Sequence, residues 1–280
     1  MAASIFPKQR GWTKPQQGVA IQWGHPLADG LVGCWLFNEQ NQNFIVDLAR
    51  HNNGTLTNTP TWRSGLQGSE LDFASASDEY VNIGNPLALQ ITGSITIATS
   101  YRLTTVLATQ QLVTKDKDTG GRAYTLDIVN NAGFGVRFYI NGGSGTDTNL
   151  AKEGRTAVAG DDQIVHAVYN QAVPKLYLFT GGVQRGVSGT TDASIPTATA
   201  NVLFARREYA GFTEPLNGQL RFVFIWNRAL QHSEVAWHAA EPYVFCVPQA
   251  PTQRYWVQAA AAGAEGGGPR TFFAAPVGFP

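Results

Sequence analysis

From residue 30 to about 245 the sequence breaks into short runs, mostly four to nine residues long, rich in β-branched and aromatic side chains and separated by Gly, Asn, Asp, Ser or Pro. Runs of that length suit strands, and the separators are the residues that tight turns demand. Alternation sorts their faces. Ile95, Ile97 and Thr99 fall on one side of their run; Tyr124, Leu126 and Ile128 do the same, as do Phe134, Val136 and Phe138. Period two means one packed face and one wetted face. Two runs are apolar on both sides. In one, Tyr177 and Phe179 oppose Leu176 and Leu178; in the other, Leu220, Phe222, Phe224 and Trp226 oppose Val223 and Ile225. Such strands are expected to be central and covered on both faces. A single segment, about residues 231–238, reads as helix, with Glu234 near its start and Pro242 closing it. The prediction is an all-β fold: two antiparallel sheets packed face to face as a jelly-roll sandwich, with one short C-terminal helix.

The flanks differ from this body. Residues 1–29 carry Pro7, Pro15 and Pro26, the scattered Trp12 and Trp23, and no periodicity, which predicts an extended N-terminal arm. Residues 30–246 form the sandwich. Residues 247–280 run through Tyr255 and Trp256, an alanine stretch and three successive glycines to Phe272 and Phe273, which predicts a linker ending in an apolar anchor. With 20 basic against 20 acidic residues, the chain has no net field to draw it to nucleic acid or an anionic membrane. No stretch approaches the roughly 20 apolar residues that cross a bilayer. The N-terminus lacks a basic start followed by an apolar core, so cytoplasmic synthesis is expected. Cys34 and Cys246 are too few for a disulfide framework or a four-ligand zinc site. A bridge between them is geometrically conceivable, but two free thiols are the expectation.

Candidate chemistry is sparse. Glu70 and Asp72 sit two apart on a run and could serve as a glycosidase carboxylate pair, yet Ala74 and Ser75 stand where a further acid would be needed. Leu71 and Phe73 are expected to face the core, with Glu70 and Asp72 in solvent. No nucleophile elbow is present, and the five histidines are scattered. His166 is expected to pack or hydrogen-bond within its sheet. His232 and His238 are six apart, which does not give the i, i+4 face of a zinc helix. The glycines at 142, 143 and 145 read as a hairpin or surface loop, because no helix follows to meet a phosphate. Two oxygen-rich loops, one with Asp47, His51, Asn52, Asn53 and Gly54 and the other with Asp116 and Asp118, leave calcium open, since Asn and Gly also favour left-handed turns for steric reasons. No other cofactor or metal is expected.

Several segments, in order, resemble the laminin G-like, concanavalin A-like jelly-roll family. They are G-L-V-G-C-W-L-F-N at 30–38, D-L-A-R-H-N-N-G-T-L at 47–56, L-D-F at 71–73 followed by D-E-Y-V-N-I at 78–83, and the runs at 112–116, 164–169 and 176–182. The most specific match is L-N-G-Q-L-R-F-V-F-I-W-N-R-A-L at 216–230, with Glu234 and Val235 after it. Where the family commonly has an acidic residue this chain has Arg221, which speaks against carrying over a calcium site.

The pairing of a Pro/Trp arm with an Ala/Gly linker and aromatic end resembles laminin G-like proteins among tailed-bacteriophage structural proteins. That resemblance implies a non-enzymatic virion part: a capsid decoration or cement protein, a homo-oligomer that fastens itself to the major capsid protein or other virion proteins through Trp12, Trp23, Tyr255, Trp256, Phe272 and Phe273. The alternative is a carbohydrate-binding module of a tail or fibre protein, contacting host glycans through loop aromatics such as Tyr209, Phe212 or Trp62.

Overall fold

A computed structural model describes residues 14–249, apart from 41, 66, 118–120, 132, 142–148 and 210. In chain order the strands are β1 (Val19–Ile21), β2 (Leu31–Trp35), β3 (Phe44–Ile45), β4 (Gly54–Thr57), β5 (Thr61–Gly65), β6 (Gly68–Phe73), β7 (Tyr80–Gly84), β8 (Ile95–Leu103) and β9 (Thr109–Asp116). They continue with β10 (Arg122–Val129), β11 (Gly135–Ile140), β12 (Leu150–Lys152), β13 (Asp162–Asn170), β14 (Lys175–Thr180), β15 (Val183–Val187), β16 (Val202–Phe204), β17 (Gly218–Trp226) and β18 (Cys246–Pro248), with the helix α1 (His232–Ala240) before the last. Antiparallel pairing in the order β12-β11-β10-β9-β16-β7-β4-β3 makes one sheet, here the front sheet. The order β15-β14-β13-β8-β17-β6-β5 makes the back sheet, in which β2 also pairs with β17. The result is the two-sheet jelly-roll sandwich that alternation predicts.

The core between the sheets follows the period-two reading. Leu71, Phe73, Ile95, Ile97, Tyr101 and Val165 point in from the back sheet; Leu112, Tyr124, Leu126, Ile128, Val136 and Phe138 meet them from the front. In β17 the expected face assignment needs one correction. A register shift between Leu220 and Phe222 opposite β8 places Leu220 in the inner core with Val223 and Ile225, while Phe222, Phe224 and Trp226 face outward. A bulge inserts one residue and so flips every side chain after it relative to those before. Phe134 likewise falls outside β11 and lies under the Lys152 ammonium, 4.6 Å from the ring centroid.

Because the outward rings of β17 cannot be left in water, other segments cover them. Leu27, Leu31, Val235 and Phe245 pack there with Phe222, Phe224 and Trp226 in a second hydrophobic cluster. Helix α1 is held at its start by a capping box, the Gln231 backbone N–H donating to Glu234 Oε2 at 2.8 Å, and Arg228 grips both oxygens of Glu234. Residues 14–29, expected as part of an extended arm ordered against a partner, are instead part of this chain's own cover. β1 pairs with β18, Leu27 is fully buried, and the Trp226 indole donates to the Leu27 carbonyl at 2.7 Å. Lys14, itself buried, donates to the carbonyls of Phe37 (3.3 Å), Arg221 (2.6 Å) and Ser69. Burial pushes its ammonium down to about 7 against the opposing pull of Glu39 and Glu70. The arm lacks periodicity because it is read one residue at a time by a preformed surface, not because it is unheld. Residues 1–13 lie outside the described part.

His166 does not bond within its sheet. Its Nε2 lies 2.8 Å from Nδ1 of His238 on α1, both rings are fully buried, and Phe222, Phe224, Trp226 and Phe245 surround His238. Cys34 and Cys246 are free thiols that meet beneath the same cover; burial pushes the Cys34 thiol up, and the hydrogen bond with Cys246 adds to it.

Two outcomes follow from this cover. A chain beginning at residue 30 loses the burial of Ile21 and Leu27, about 1.5–3 kcal/mol each, so its thermal midpoint should drop well below that of a chain beginning at residue 14; equal midpoints would show that these residues add nothing to this chain's own core. Desolvation holds His166 down at about 3 and His238 also below 6.5. The unfolded chain therefore takes up protons near pH 6.5 that the folded chain refuses, and stability should fall as pH drops from about 6.5 toward 3, by up to about 1.4 kcal/mol per pH unit for each imidazole. Urea midpoints at pH 7.5 and 5 measure this, with the His166→Phe chain expected to show a flatter dependence.

Candidate functional site

The outward face of the back sheet divides in two: one half is the aromatic cover and the other a ladder of ion pairs. Arg221, delivered outward by the bulge, lies 3.1 Å from Glu70 Oε2 and grips both oxygens of Asp162, the longer contact being 2.8 Å. Asp72 pairs with Arg63 and accepts from Gln219. Glu70 and Asp72 are thus bound by neighbouring side chains and do not lie in solvent as expected. Arg221, the departure from the family pattern, supplies the positive charge for Glu70 and Asp162, and Arg63 supplies it for Asp72. The Asp47 loop is equally committed to structure. The buried Asp47 carboxylate accepts from the backbone N–H groups of Cys34, Ala49, Arg50 and Asn52 and from the Asn52 side chain, at 2.9–3.1 Å. Asp116 pairs with Arg122 at 3.5 Å, while Asp118 lies outside the described residues.

Of the six residues expected to hold a partner, Trp12, Tyr255, Trp256, Phe272 and Phe273 lie outside the described residues. Trp23 is 52% exposed, with the Arg50 guanidinium 5.8 Å above its ring. Among the aromatics proposed for sugar contact, Trp62 packs against the inner core and donates to the Gln42 carbonyl at 2.8 Å, a structural role. Tyr209 and Phe212 are different: both sit on the loop between β16 and β17, which lies against the front sheet.

On that sheet the residues between the core-facing ones carry polar, planar groups. Register sets Asp127 of β10 opposite Arg137 of β11 on one side and Gln111 of β9 on the other. The Arg137 guanidinium donates to both Asp127 oxygens, at 2.7 and 2.8 Å. Gln111 donates through its side chain to Glu214 Oε2 at 2.6 Å and through its backbone N–H to the Glu214 carbonyl at 3.0 Å. Arg207 Nε lies 3.1 Å from the same Glu214 oxygen. One continuous line, Arg137, Asp127, Gln111, Glu214, Arg207, therefore crosses from the sheet to the loop. Asp127 and Gln111 are fully buried within it. Desolvation pushes the Asp127 and Glu214 carboxyls up, and their arginines oppose it.

The loop is fixed at both ends. Ala205 (φ 67) and Glu214 (φ 47) adopt the left-handed conformation that non-glycine residues avoid. Hydrogen bonds hold them there: Leu216 N–H to the Ala205 carbonyl (2.9 Å), Arg207 N–H to the Thr213 carbonyl (3.1 Å) and Thr114 Oγ1 to the Arg206 carbonyl (3.0 Å). The Tyr209 ring lies between the guanidiniums of Arg122 and Arg207, at 4.8 and 4.4 Å, and Arg137 lies 5.3 Å from the Tyr139 ring. Phe212, at the loop's outer side, is 66% exposed. An ordered loop with strained ends that leaves a phenyl ring in water is a feature that core packing does not explain.

The sequence held a signal for this face. Thr125 and Asp127 alternate with Tyr124 and Leu126, Arg137 and Tyr139 alternate with Val136 and Phe138, and residues 206–209 concentrate charge in a chain with only 14% charged residues. Assigning the cross-strand partners needs the register, which alternation does not give.

A family model described as the concanavalin A-like lectin/glucanases superfamily matches residues 75–236. No curated protein matches the chain. Among solved structures, domain 4 of an extracellular arabinanase from Geobacillus stearothermophilus, solved with arabinotriose, is similar at 14% identity and a TM-score of 0.54, over 75% of this chain and 98% of that one. The binding domain of botulinum neurotoxin DC, in complex with SialylT, is similar at 12% identity and 0.54, over 75% of this chain and 51% of that one. A mutant Trypanosoma rangeli sialidase displaying trans-sialidase activity is similar at 13% and 0.54, over 78% and 35%. The chain thus spans about half the neurotoxin domain and a third of the sialidase. The match covers more than half of the chain, and with the two-sheet sandwich it places this protein in the concanavalin A-like lectin/glucanase superfamily.

Proposed function

We propose that the front-sheet face and the 205–217 loop form a carbohydrate-binding site, and that the domain holds its glycan without cleaving it. The observation that carries this reading is the fixed line of planar groups from Arg137 to Arg207 beside Tyr209 and the exposed Phe212. Sugars present many hydroxyls and one apolar ring face. Guanidinium groups held in place by the buried Asp127 and by Glu214 match the hydroxyls, and an exposed aromatic ring matches the apolar face. Both Asp127 oxygens are engaged by Arg137 and the Glu214 carboxylate is shared by Gln111 and Arg207, so the pair positions the arginines and does not act as nucleophile and acid. The solved relatives with arabinotriose and with SialylT support the reading by fold. The capsid-decoration expectation draws on the two ends of the chain, and five of its six residues lie outside the described part, so the described face argues for the glycan role.

A glycan array probed with the full chain is expected to return a selective set of oligosaccharides, each recovered intact after incubation. For the best of them, Phe212→Ala and Tyr209→Ala should each weaken binding about tenfold, about 1.4 kcal/mol, with little change in thermal midpoint. Trp62→Ala should lower the midpoint and leave affinity unchanged. An array without selective binding, or affinity indifferent to Phe212 and Tyr209, would remove the proposal.

A further inference from the structure

A pocket lies at the seam where the edges of the two sheets meet, away from the 205–217 loop. It has a volume of about 360 Å³ and is lined by Glu153, Arg155, Gln163, Thr180 and Arg185. The seam is tight: a Cβ on Gly186 of β15 would stand 2.1 Å from the Lys152 carbonyl oxygen of β12, so only glycine lets the two edges close there. The walls are rigid. Glu153 Oε1 takes the Arg155 Nε at 2.8 Å and the Thr180 hydroxyl at 3.2 Å, and Arg155 Nη1 reaches Asp161 Oδ2 at 2.7 Å.

Two polar side-chain atoms of the lining, Arg155 Nη2 and Gln163 Oε1, are buried without a close hydrogen-bond partner, and the Tyr101 hydroxyl behind the lining interacts with Arg155. Register puts Tyr101 directly opposite Gln163 on the paired strands β8 and β13. Buried polar atoms left open are costly, and two in one pocket mark a place suited to a polar molecule. At the rim, the exposed Arg185 has no ion-pair partner among the described residues. The open groups are therefore a donor at Arg155, an acceptor at Gln163 and the free positive charge of Arg185, while the Glu153 carboxylate of the lining is already held by Arg155 and Thr180.

The geometry points to a ligand that brings a carboxylate for Arg155 and Arg185 together with a hydroxyl for Gln163. We propose that this pocket binds a single uronate sugar unit. Its volume lies within the range of small-molecule sites, which begins at about 300 Å³. The site is independent of the front-sheet face: it shares no residue with it and uses charge where the other uses a stacked ring.

The test is saturation-transfer NMR on the full chain with D-galacturonate and D-glucuronate at millimolar concentration, with D-galactose and D-glucose as neutral controls. At least one uronate should receive saturation while its neutral counterpart does not. That signal should weaken at least tenfold in Arg185→Gln, an exposed position whose change leaves the fold alone, and again in Gln163→Ala. It should persist in Phe212→Ala, which separates this pocket from the front-sheet site. Absence of transfer to both uronates, equal transfer to the neutral sugars, or a uronate signal lost with Phe212 and kept without Arg185 would each overturn the assignment. In those cases the two open atoms serve bound water only.

Discussion

Burial of β17 on both sides is the constraint from which the rest of the architecture follows. All nine of its residues are buried, and it pairs with β8 along its length, with β6 over its first half and with β2 over its second. A strand so placed needs a second layer on its outer side. That layer is assembled from segments distant in sequence: residues 14–29, helix α1 and the stretch leading to β18. The hydrogen bond from the Trp226 indole to the Leu27 carbonyl and the buried His166–His238 contact are the polar seams of this cover. Both are satisfied only when the separate segments are docked together, so the ends of the described chain are coupled to the centre of the fold.

The bulge at Arg221 makes the two halves of the back sheet differ. Beyond it the outward side chains are aromatic and must be covered; before it they form paired charges that can face water. With half of the back sheet committed to structure, the front sheet is the surface where an ordered polar line runs beside an exposed aromatic ring, Phe212 of the 205–217 loop. The same economy appears in the Asp47 loop, whose acidic oxygens are consumed by five N–H donors. Acidic residues in this chain hold backbone or guanidinium in place before they do anything else.

How much of this was legible in the sequence depends on the range of the interaction. Alternation in residues 95–99, 124–128 and 136–138 reports a strand's faces from neighbours two apart, and those faces are where they were expected. The helix start is also local, since Glu234 caps Gln231 three residues before it. Phe222 was misplaced because the bulge is one extra residue of β17, which shows only in the pairing with β8. Residues 14–29 were read as an arm because a segment docked on a surface carries no period of its own. The Arg137, Asp127, Gln111, Glu214 and Arg207 line joins three strands and a loop, up to 103 positions apart for Gln111 and Glu214, and only the fold brings them together. Glu70 was placed in water because its partner Arg221 is 151 positions away.

The central claim is that glycan recognition belongs to the front-sheet face and its loop. Backbone amide chemical shifts, followed while an array-selected oligosaccharide is titrated into the full chain, test this most directly. The account predicts that the largest shifts cluster at residues 111–114, 125–127, 137–139 and 207–214, with the back sheet silent. Shifts centred instead on the Arg63, Glu70, Arg102 and Gln219 cleft of the back sheet, or spread over the aromatic cover of β17, would contradict it.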